Sequence, residues 1–154
     1  MPIIDSQNLF DESVAITTTR DSTNIIDLKA GADYGVDGEN NPVKLFVYGD
    51  KAWTSGGTPT LTVSIQGAPD SSGSPGTYTE YASVTLTLAE LVANYVLWQI
   101  DLPRRHAGAA VPRFLKLVYT VASGPFTGGK VTAGLGLGVD ANHAYPPGVS
   151  TTSI

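Results

Sequence analysis

The most informative segment of the sequence is Arg113-Phe-Leu-Lys-Leu-Val-Tyr-Thr-Val-Ala-Ser-Gly-Pro-Phe-Thr-Gly-Gly-Lys-Val-Thr-Ala-Gly-Leu-Gly-Leu-Gly-Val139. Two runs rich in β-formers flank a cluster of turn residues, which predicts two long strands joined as a hairpin that closes the domain. Side chains alternate along the second strand, so Val, Ala and Leu share one face while Thr and Gly share the other. Glycine weakens a strand interior, so the bare face predicts close approach by another backbone or surface.

The composition narrows the class of protein. A chain of 154 residues fits one domain with a proper core. Only 15% of the residues are charged, against about 25% in an average globular protein. The net charge of −5 disfavours a nucleic acid as a partner, and no apolar run approaches the length of a membrane span. Without cysteine, neither disulfides nor thiolate chemistry are possible.

Short alternating runs separated by turn formers recur along the chain. The clearest is 60–66, where Leu61, Val63 and Ile65 point inward. The pattern predicts an all-β fold, namely an eight-stranded antiparallel jelly-roll β-sandwich over residues 1–140, with an up-and-down β-barrel as the alternative. Thr87-Leu-Ala-Glu90 matches a capping box and predicts one short helical turn. Residues 141–154 are predicted to form an extended C-terminal arm. The remaining predicted strands, besides the two that open this section, are 13–18, 24–28, 43–49, 83–88 and 95–101.

Residues suited to chemistry are sparse. His106 and His143 fall in predicted loops, with no cluster of carboxylates or histidines at ligand spacing beside either. The segment Asp33-Tyr-Gly-Val-Asp-Gly-Glu39 offers hard oxygen ligands but lacks the EF-hand pattern, so a plain loop is expected. The sequence therefore predicts a protein that is not an enzyme, with no catalytic residue, no metal and no cofactor.

The two tryptophans have different predicted roles. Trp98 is in line with Val96 and Ile100 and is expected in the core. Trp53 falls in a connection rich in Gly, Ser and Thr, where an exposed indole would suit a protein contact or a sugar. One alternative function is accordingly a carbohydrate-binding β-sandwich for host attachment, and another is a metal-dependent enzyme on a jelly roll.

Four blocks, in this order along the chain, carry a family resemblance. They are Ile3-Ile-Asp-Ser-Gln-Asn-Leu-Phe10, Ser22-Thr-Asn-Ile-Ile-Asp-Leu28, Gly57-Thr-Pro-Thr-Leu-Thr-Val-Ser-Ile-Gln66 and Leu117-Val-Tyr-Thr-Val-Ala-Ser-Gly-Pro-Phe-Thr-Gly-Gly-Lys-Val-Thr-Ala-Gly-Leu135. Together they resemble the capsid cement proteins of tailed bacteriophages, the Bbp16 family of Bordetella phage. The loop 33–41 and the tail around Pro146-Pro147 depart from the family pattern, which leaves their contacts open.

The resemblance implies a structural virion protein. Such a protein is a jelly roll on the outside of an HK97-type capsid that bridges neighbouring major capsid subunits and stabilises the shell. The resemblance further implies two partners, the major capsid protein and a second copy of the chain. The homo-oligomer is expected to be a dimer rather than a trimer. The resemblance also implies assembly in the host cytoplasm and a final location on the outer capsid surface.

Candidate interface residues come from the chain ends and the loops. The apolar N-terminal segment could lie against a neighbour or form a first strand within its own core. Phe126, at the tip of the predicted hairpin, is either an interface anchor or a cap on the core, and the anchor is favoured. The residues predicted to contact the capsid or a second subunit are Ile3, Ile4, Leu9, Phe10, Trp53 and Phe126.

Overall fold

The computed structural model describes residues 6–28, 43–101 and 112–137. Strands dominate these ranges, preceded by a single 3₁₀ turn at Ser6–Asn8. The strands are β1 (Leu9–Ala15), β2 (Arg20–Asp21), β3 (Ile26–Asp27), β4 (Val43–Thr54), β5 (Thr60–Ala68), β6 (Asp70–Ser71), β7 (Ser74–Pro75), β8 (Thr79–Thr87), β9 (Tyr95–Asp101), β10 (Phe114–Ala122) and β11 (Gly128–Leu137).

The strands form two main sheets and one small hairpin. A four-stranded sheet has the order β1-β11-β4-β9, and a five-stranded sheet has the order β2-β10-β5-β8, with β3 also paired to β10. Strands β6 and β7 pair only with each other, and every pairing is antiparallel. The described elements other than the 3₁₀ turn are strands, so the all-β prediction is confirmed. Among the described residues no ladder joins the two main sheets, so the alternative of a closed barrel is wrong.

One hydrophobic core lies between the two sheets. Leu61, Val63 and Ile65 of β5 are fully buried, as their alternation predicts. They meet Val131 and Ala133 of β11 in the same cluster. Burying such side chains stabilises the fold by roughly 1.5 to 3 kcal/mol each, so the core is the main source of stability in a chain without disulfides.

The predicted closing hairpin is wrong, although both of its strands exist. Strand β10 pairs with β5 in one sheet, whereas β11 pairs with β4 and β1 in the other. Between them the chain crosses from sheet to sheet, helped by positive φ angles at Ser123 and Gly124. In the crossing, the N–H of Phe126 donates to the carbonyl of Thr17 and that of Thr127 to the carbonyl of Thr54. Periodicity predicts strands but cannot tell a hairpin from a crossing of this kind.

Two local predictions also change. The first strand is Leu9–Ala15 rather than 13–18, and it contains irregular register where Ser13 adopts a φ of 49°. In the predicted capping box, the N–H and hydroxyl of Thr87 donate to the carboxylate of Glu90 at 2.8 and 2.7 Å. The chain nevertheless forms a turn instead of a helix, and Asn94, at a φ of 57°, then leads into β9.

Several predictions fall outside the described residues. These are Ile3, Ile4, the loop 33–39, His106, His143 and the C-terminal arm 141–154.

Candidate interaction surfaces

At Gly134, the glycine-lined face of β11 is covered by the chain's own N-terminal segment and by Phe46. A Cβ placed on Gly134 would lie 2.7 Å from the carbonyl oxygen of Asn8, 2.9 Å from Cδ2 of Leu9 and 3.1 Å from Cζ of Phe46. In the sheet register, Gly134 stands opposite both Leu9 and Phe46. The expected close approach at this glycine is confirmed, and the approaching groups belong to the same molecule.

Gly134→Ala is expected to lower the free energy of unfolding by about 1 to 3 kcal/mol, since the new methyl group overpacks the face against a backbone oxygen. Gly57→Ala is the matched control, because nothing lies within 4 Å of a Cβ there. Urea unfolding of both variants measures the difference. Equal stability of the two variants would mean that the N-terminal segment does not need the glycine.

The described part of the predicted N-terminal interface is built into the sandwich. Phe10 is fully buried in the core, which matches the alternative of a first strand within its own domain. Leu9 is half-buried and lies over Gly134. Phe10 is therefore not available on the surface of a single subunit.

Trp53 is buried rather than exposed, with 5% of its surface accessible. The reason is that β4 does not end at Gly49 but runs on to Thr54, so Trp53 occupies an inward position of a strand. Its indole lies directly against Gly129, where a side chain would have no room. The expectation that Trp53 offers an exposed aromatic platform is wrong. Trp98, by contrast, packs against the core as predicted.

Phe126 also points inward. Its side chain is 2% exposed and belongs to the core cluster with Trp53 and Ile16. The crossing between the sheets explains this, because it carries the chain over the end of the sandwich and turns the ring into it. The favoured interpretation of Phe126 as a projecting anchor is therefore wrong for the single subunit, and the core cap is correct.

A buried carboxylate joins the two sheets on the β1 side. Asp11 is 1% exposed, and its Oδ1 accepts hydrogen bonds from the N–H and hydroxyl of Thr23 at 2.9 and 2.7 Å. Its Oδ2 accepts a hydrogen bond from the hydroxyl of Tyr119 at 2.9 Å, and the guanidinium of Arg20 lies 3.5 Å away. Burial and the adjacent Asp11 raise the pKa of Tyr119 well above its usual value, so the phenol stays a donor. We call these four residues the Asp11 clamp.

The Asp11 clamp is not predictable from the sequence, for a physical reason. Asp11 and Tyr119 are 108 residues apart in the sequence. Next to Asp11 in β1 are the polar residues Glu12 and Ser13, so no local pattern marks Asp11 as the buried one. Such a residue must either face solvent or find donors inside, and sequence alone does not decide between these outcomes.

Surface cations of β10 and its flank are paired with nearby carboxylates. Arg113 makes two hydrogen bonds to Asp27, at 2.9 and 3.0 Å, and a third ion contact to Asp70 at 3.0 Å. Lys116 lies 2.7 Å from Asp21. These pairs tie the short strands β2, β3 and β6 to β10.

The outer face of the five-stranded sheet carries hydroxyls. Thr62 and Thr85 stand opposite each other on β5 and β8, and their hydroxyl groups are 2.8 Å apart. Thr120 of β10 continues the same row. These threonines supply polar groups to this face without adding charge.

Apolar side chains remain partly exposed where β8 and β9 border the sandwich. Val92 and Tyr95, just before and at the start of β9, are 43% and 53% exposed. We define the β8–β9 seam as these two residues together with the partly buried apolar side chains of the same segment, namely Tyr81, Ala82, Val84, Leu88, Leu97, Trp98 and Ile100.

The described ranges hold no group of three or more His, Cys, Asp or Glu side chains placed to bind a metal ion. In the same ranges, no helix has the length and apolar character needed to cross a membrane.

These features define the class of the protein, which is an all-β protein of two packed antiparallel sheets. Comparison with protein families then gives the family. The family model Bbp16 matches residues 10–135, from β1 into β11, and the chain belongs to the Bbp16 family. No curated protein matches the chain. Family membership indicates a bacteriophage protein and a component of the phage particle.

Proposed function

We propose that this protein is a capsid cement protein that binds the outside of an HK97-type capsid, bridges neighbouring major capsid subunits and stabilises the shell. The observation that carries the proposal is the family match, which spans nearly the whole sandwich rather than one motif. Its partners are the major capsid protein and a second copy of itself, and its location is the outer surface of the virion after assembly in the host cytoplasm.

We also infer that the sandwich is a jelly roll. Taking β2 and β3 as one position, the chain visits the sheets in the sequence four, five, four, five, five, four, five, four. Two intertwined Greek keys produce this alternation, with the last strand β11 inserted between β1 and β4. Strands β6 and β7 form an additional hairpin between β5 and β8.

The proposed mechanism is multivalent burial of surface. A specific interface typically buries roughly 800 Å² per partner. When one oligomer touches several capsid subunits, later contacts form at high effective concentration and add strongly to the first. If the protein binds only to capsid subunits in the arrangement of the mature shell, it stabilises the mature shell by mass action.

The sheet edges suit a protein crowded on a shell. Strand β1 contains register shifts, β8 contains one beside Tyr81, and β9 contains one at Leu97. Bulges of this kind twist an edge away from regular pairing and discourage uncontrolled edge-to-edge association.

Capsid decoration tests the proposal directly. Capsids of the encoding phage that lack this protein are mixed with the purified chain, and bound protein is measured together with the temperature at which the shells release DNA. We expect saturable binding and a higher release temperature, with the immature shell as the control. Absence of binding to mature capsids would overturn the proposal.

The carbohydrate-binding alternative loses its main support. It relied on Trp53 as an exposed platform, and that indole is in the core. We therefore put forward no second function.

A further inference from the structure

We propose that Lys51, Lys130 and the uncharged loops at the adjoining end of the sandwich bind a surface of the major capsid protein that presents carboxylates. The inference rests on the proposed function in taking the major capsid protein as the partner. The charges, the strand register and the hydrogen bonds of the described residues support this contact surface and the chemistry that it accepts.

Two exposed lysines face each other across neighbouring strands. In the register of β4 and β11, Lys51 stands opposite Lys130, and the register shifts on both sides of this pair. Side chains at opposed positions of an antiparallel pair have Cβ atoms roughly 4.5 to 5.5 Å apart, and like charges there destabilise the sheet. The fold therefore holds two ammonium groups together at a cost to its own stability.

The other lysines and arginines of the described ranges are paired with carboxylates. Within the same ranges, Lys51 and Lys130 have no such partner. Asp50, which precedes Lys51, accepts a hydrogen bond from the hydroxyl of Thr132 at 2.7 Å. The chain has 14 acidic residues against nine lysines and arginines, yet these two ammonium groups are left available for a carboxylate of another molecule. The paired residues are Arg20 with Asp11, Lys44 with Asp101, Arg113 with Asp27 and Asp70, and Lys116 with Asp21.

The loops beside the two lysines contain no ionisable side chain, and most of their residues are exposed. Thr54 stands opposite Gly128, which is the next registered pair along β4 and β11 from Lys51 and Lys130. The lysines thus border an uncharged area, and protein–protein interfaces typically have a centre depleted of charge and a polar border. The loops are the segments 16–19, 55–59 and 122–127.

Hydrogen bonds hold these three loops in one arrangement. The hydroxyl of Ser55 donates to the carbonyl of Pro125 at 3.2 Å and accepts from the N–H of Gly57 at 3.2 Å. The N–H of Phe126 donates to the carbonyl of Thr17 at 3.0 Å. A surface that is ordered before it binds loses little conformational entropy on binding, so the loops are well prepared for a rigid partner such as a capsid.

The charge of the whole molecule favours a protein over a nucleic acid as the partner. A chain of net charge −5 repels a polyanion at long range. Two ammonium groups also neutralise only two phosphates, which gives weak binding to duplex DNA. A protein surface with a few carboxylates beside an uncharged area matches the two lysines and their loops, and such charge pairs also fix the orientation of the bound molecule.

Binding of the full chain to capsids that lack this protein tests the inference. At low ionic strength, we expect Lys51→Gln/Lys130→Gln to raise the apparent dissociation constant at least about 10-fold. The difference from wild type should shrink at high ionic strength, because salt screens exposed ion pairs. Urea unfolding should show the double variant to be at least as stable as wild type, since a repulsive pair is removed.

Thr85→Glu/Thr120→Glu is the matched control for net charge. It lowers the net charge by two, as the lysine variant does, but at exposed positions on the outer face of the five-stranded sheet. We expect this control to bind capsids like wild type. A short duplex DNA, added to the purified chain at physiological ionic strength, should show no binding that depends on the two lysines.

Three results would overturn the inference alone: unchanged capsid binding by the lysine variant, equal weakening by the threonine control, or DNA binding through the two lysines with capsid binding unaffected. A lysine variant less stable than wild type would also overturn it, because the pair would then support the fold. Wild type that does not bind capsids would overturn the proposed function and this inference with it.

Discussion

Phe126→Ala is expected to lower the free energy of unfolding by about 3 to 5 kcal/mol. The ring is 2% exposed at the end of the sandwich, in one cluster with Trp53 and Ile16. Truncation leaves a cavity that the neighbouring backbone cannot fill, because the N–H of Phe126 remains bonded to the carbonyl of Thr17. Urea unfolding followed by tryptophan fluorescence measures the loss.

Ile25→Ala serves as the control for Phe126→Ala, since this exposed side chain should change stability by no more than about 0.5 kcal/mol. Phe126→Leu should retain part of the lost stability by refilling the cavity. If Phe126→Ala unfolds like wild type but no longer decorates capsids, the ring is an anchor after all and the core assignment fails.

Asp11→Ala is expected to destabilise the fold by about 3 kcal/mol, because it leaves the hydrogen-bond donors of Thr23 and Tyr119 inside the protein without their acceptor. The carboxylate is 1% exposed and holds β1 of one sheet against β10 of the other. Loss of the Asp11 clamp should therefore loosen the whole β1 side of the sandwich. Hydrogen exchange of the β1 amides, with urea unfolding, measures both effects.

Two matched variants calibrate the Asp11 result. Tyr119→Phe removes one hydrogen bond to Asp11 and should cost about 1.5 to 3 kcal/mol, as for bonds to charged groups. Asp21→Ala removes an exposed carboxylate paired with Lys116, and surface pairs of this kind contribute at most about 1 kcal/mol. An Asp11→Ala variant no less stable than Asp21→Ala would contradict the Asp11 clamp.

Local patterns in the sequence predict the parts of the fold that depend on local geometry. The alternation at Leu61, Val63 and Ile65 correctly predicts an inward face, and the range of β9 is predicted without error. Each of these predictions needs only the two-residue period of a strand.

Features that depend on distant partners escaped prediction. The pairing of β10 with β5 and of β11 with β4 involves strands far away in sequence, so the closing hairpin was indistinguishable from a crossing. Trp53 lies in a segment rich in glycine and polar residues, which is typical of a loop. The strand nevertheless continues through Trp53, because Gly129 leaves room for its indole. Burial of Phe126 follows from that same crossing.

The properties of the β8–β9 seam are predictable from the sequence only in part. Its scarcity of charge is visible in the sequence, but its partial exposure depends on which strands border the sandwich. The proposed function rests on membership of the Bbp16 family rather than on a single motif.

A cryo-EM reconstruction of the native phage particle would show directly whether this chain is a capsid cement protein. We expect two-sheet density for this chain on the outer surface of the shell, with each oligomer touching more than one major capsid subunit. Density inside the shell, density confined to the tail, or absence of the chain from the particle would contradict it.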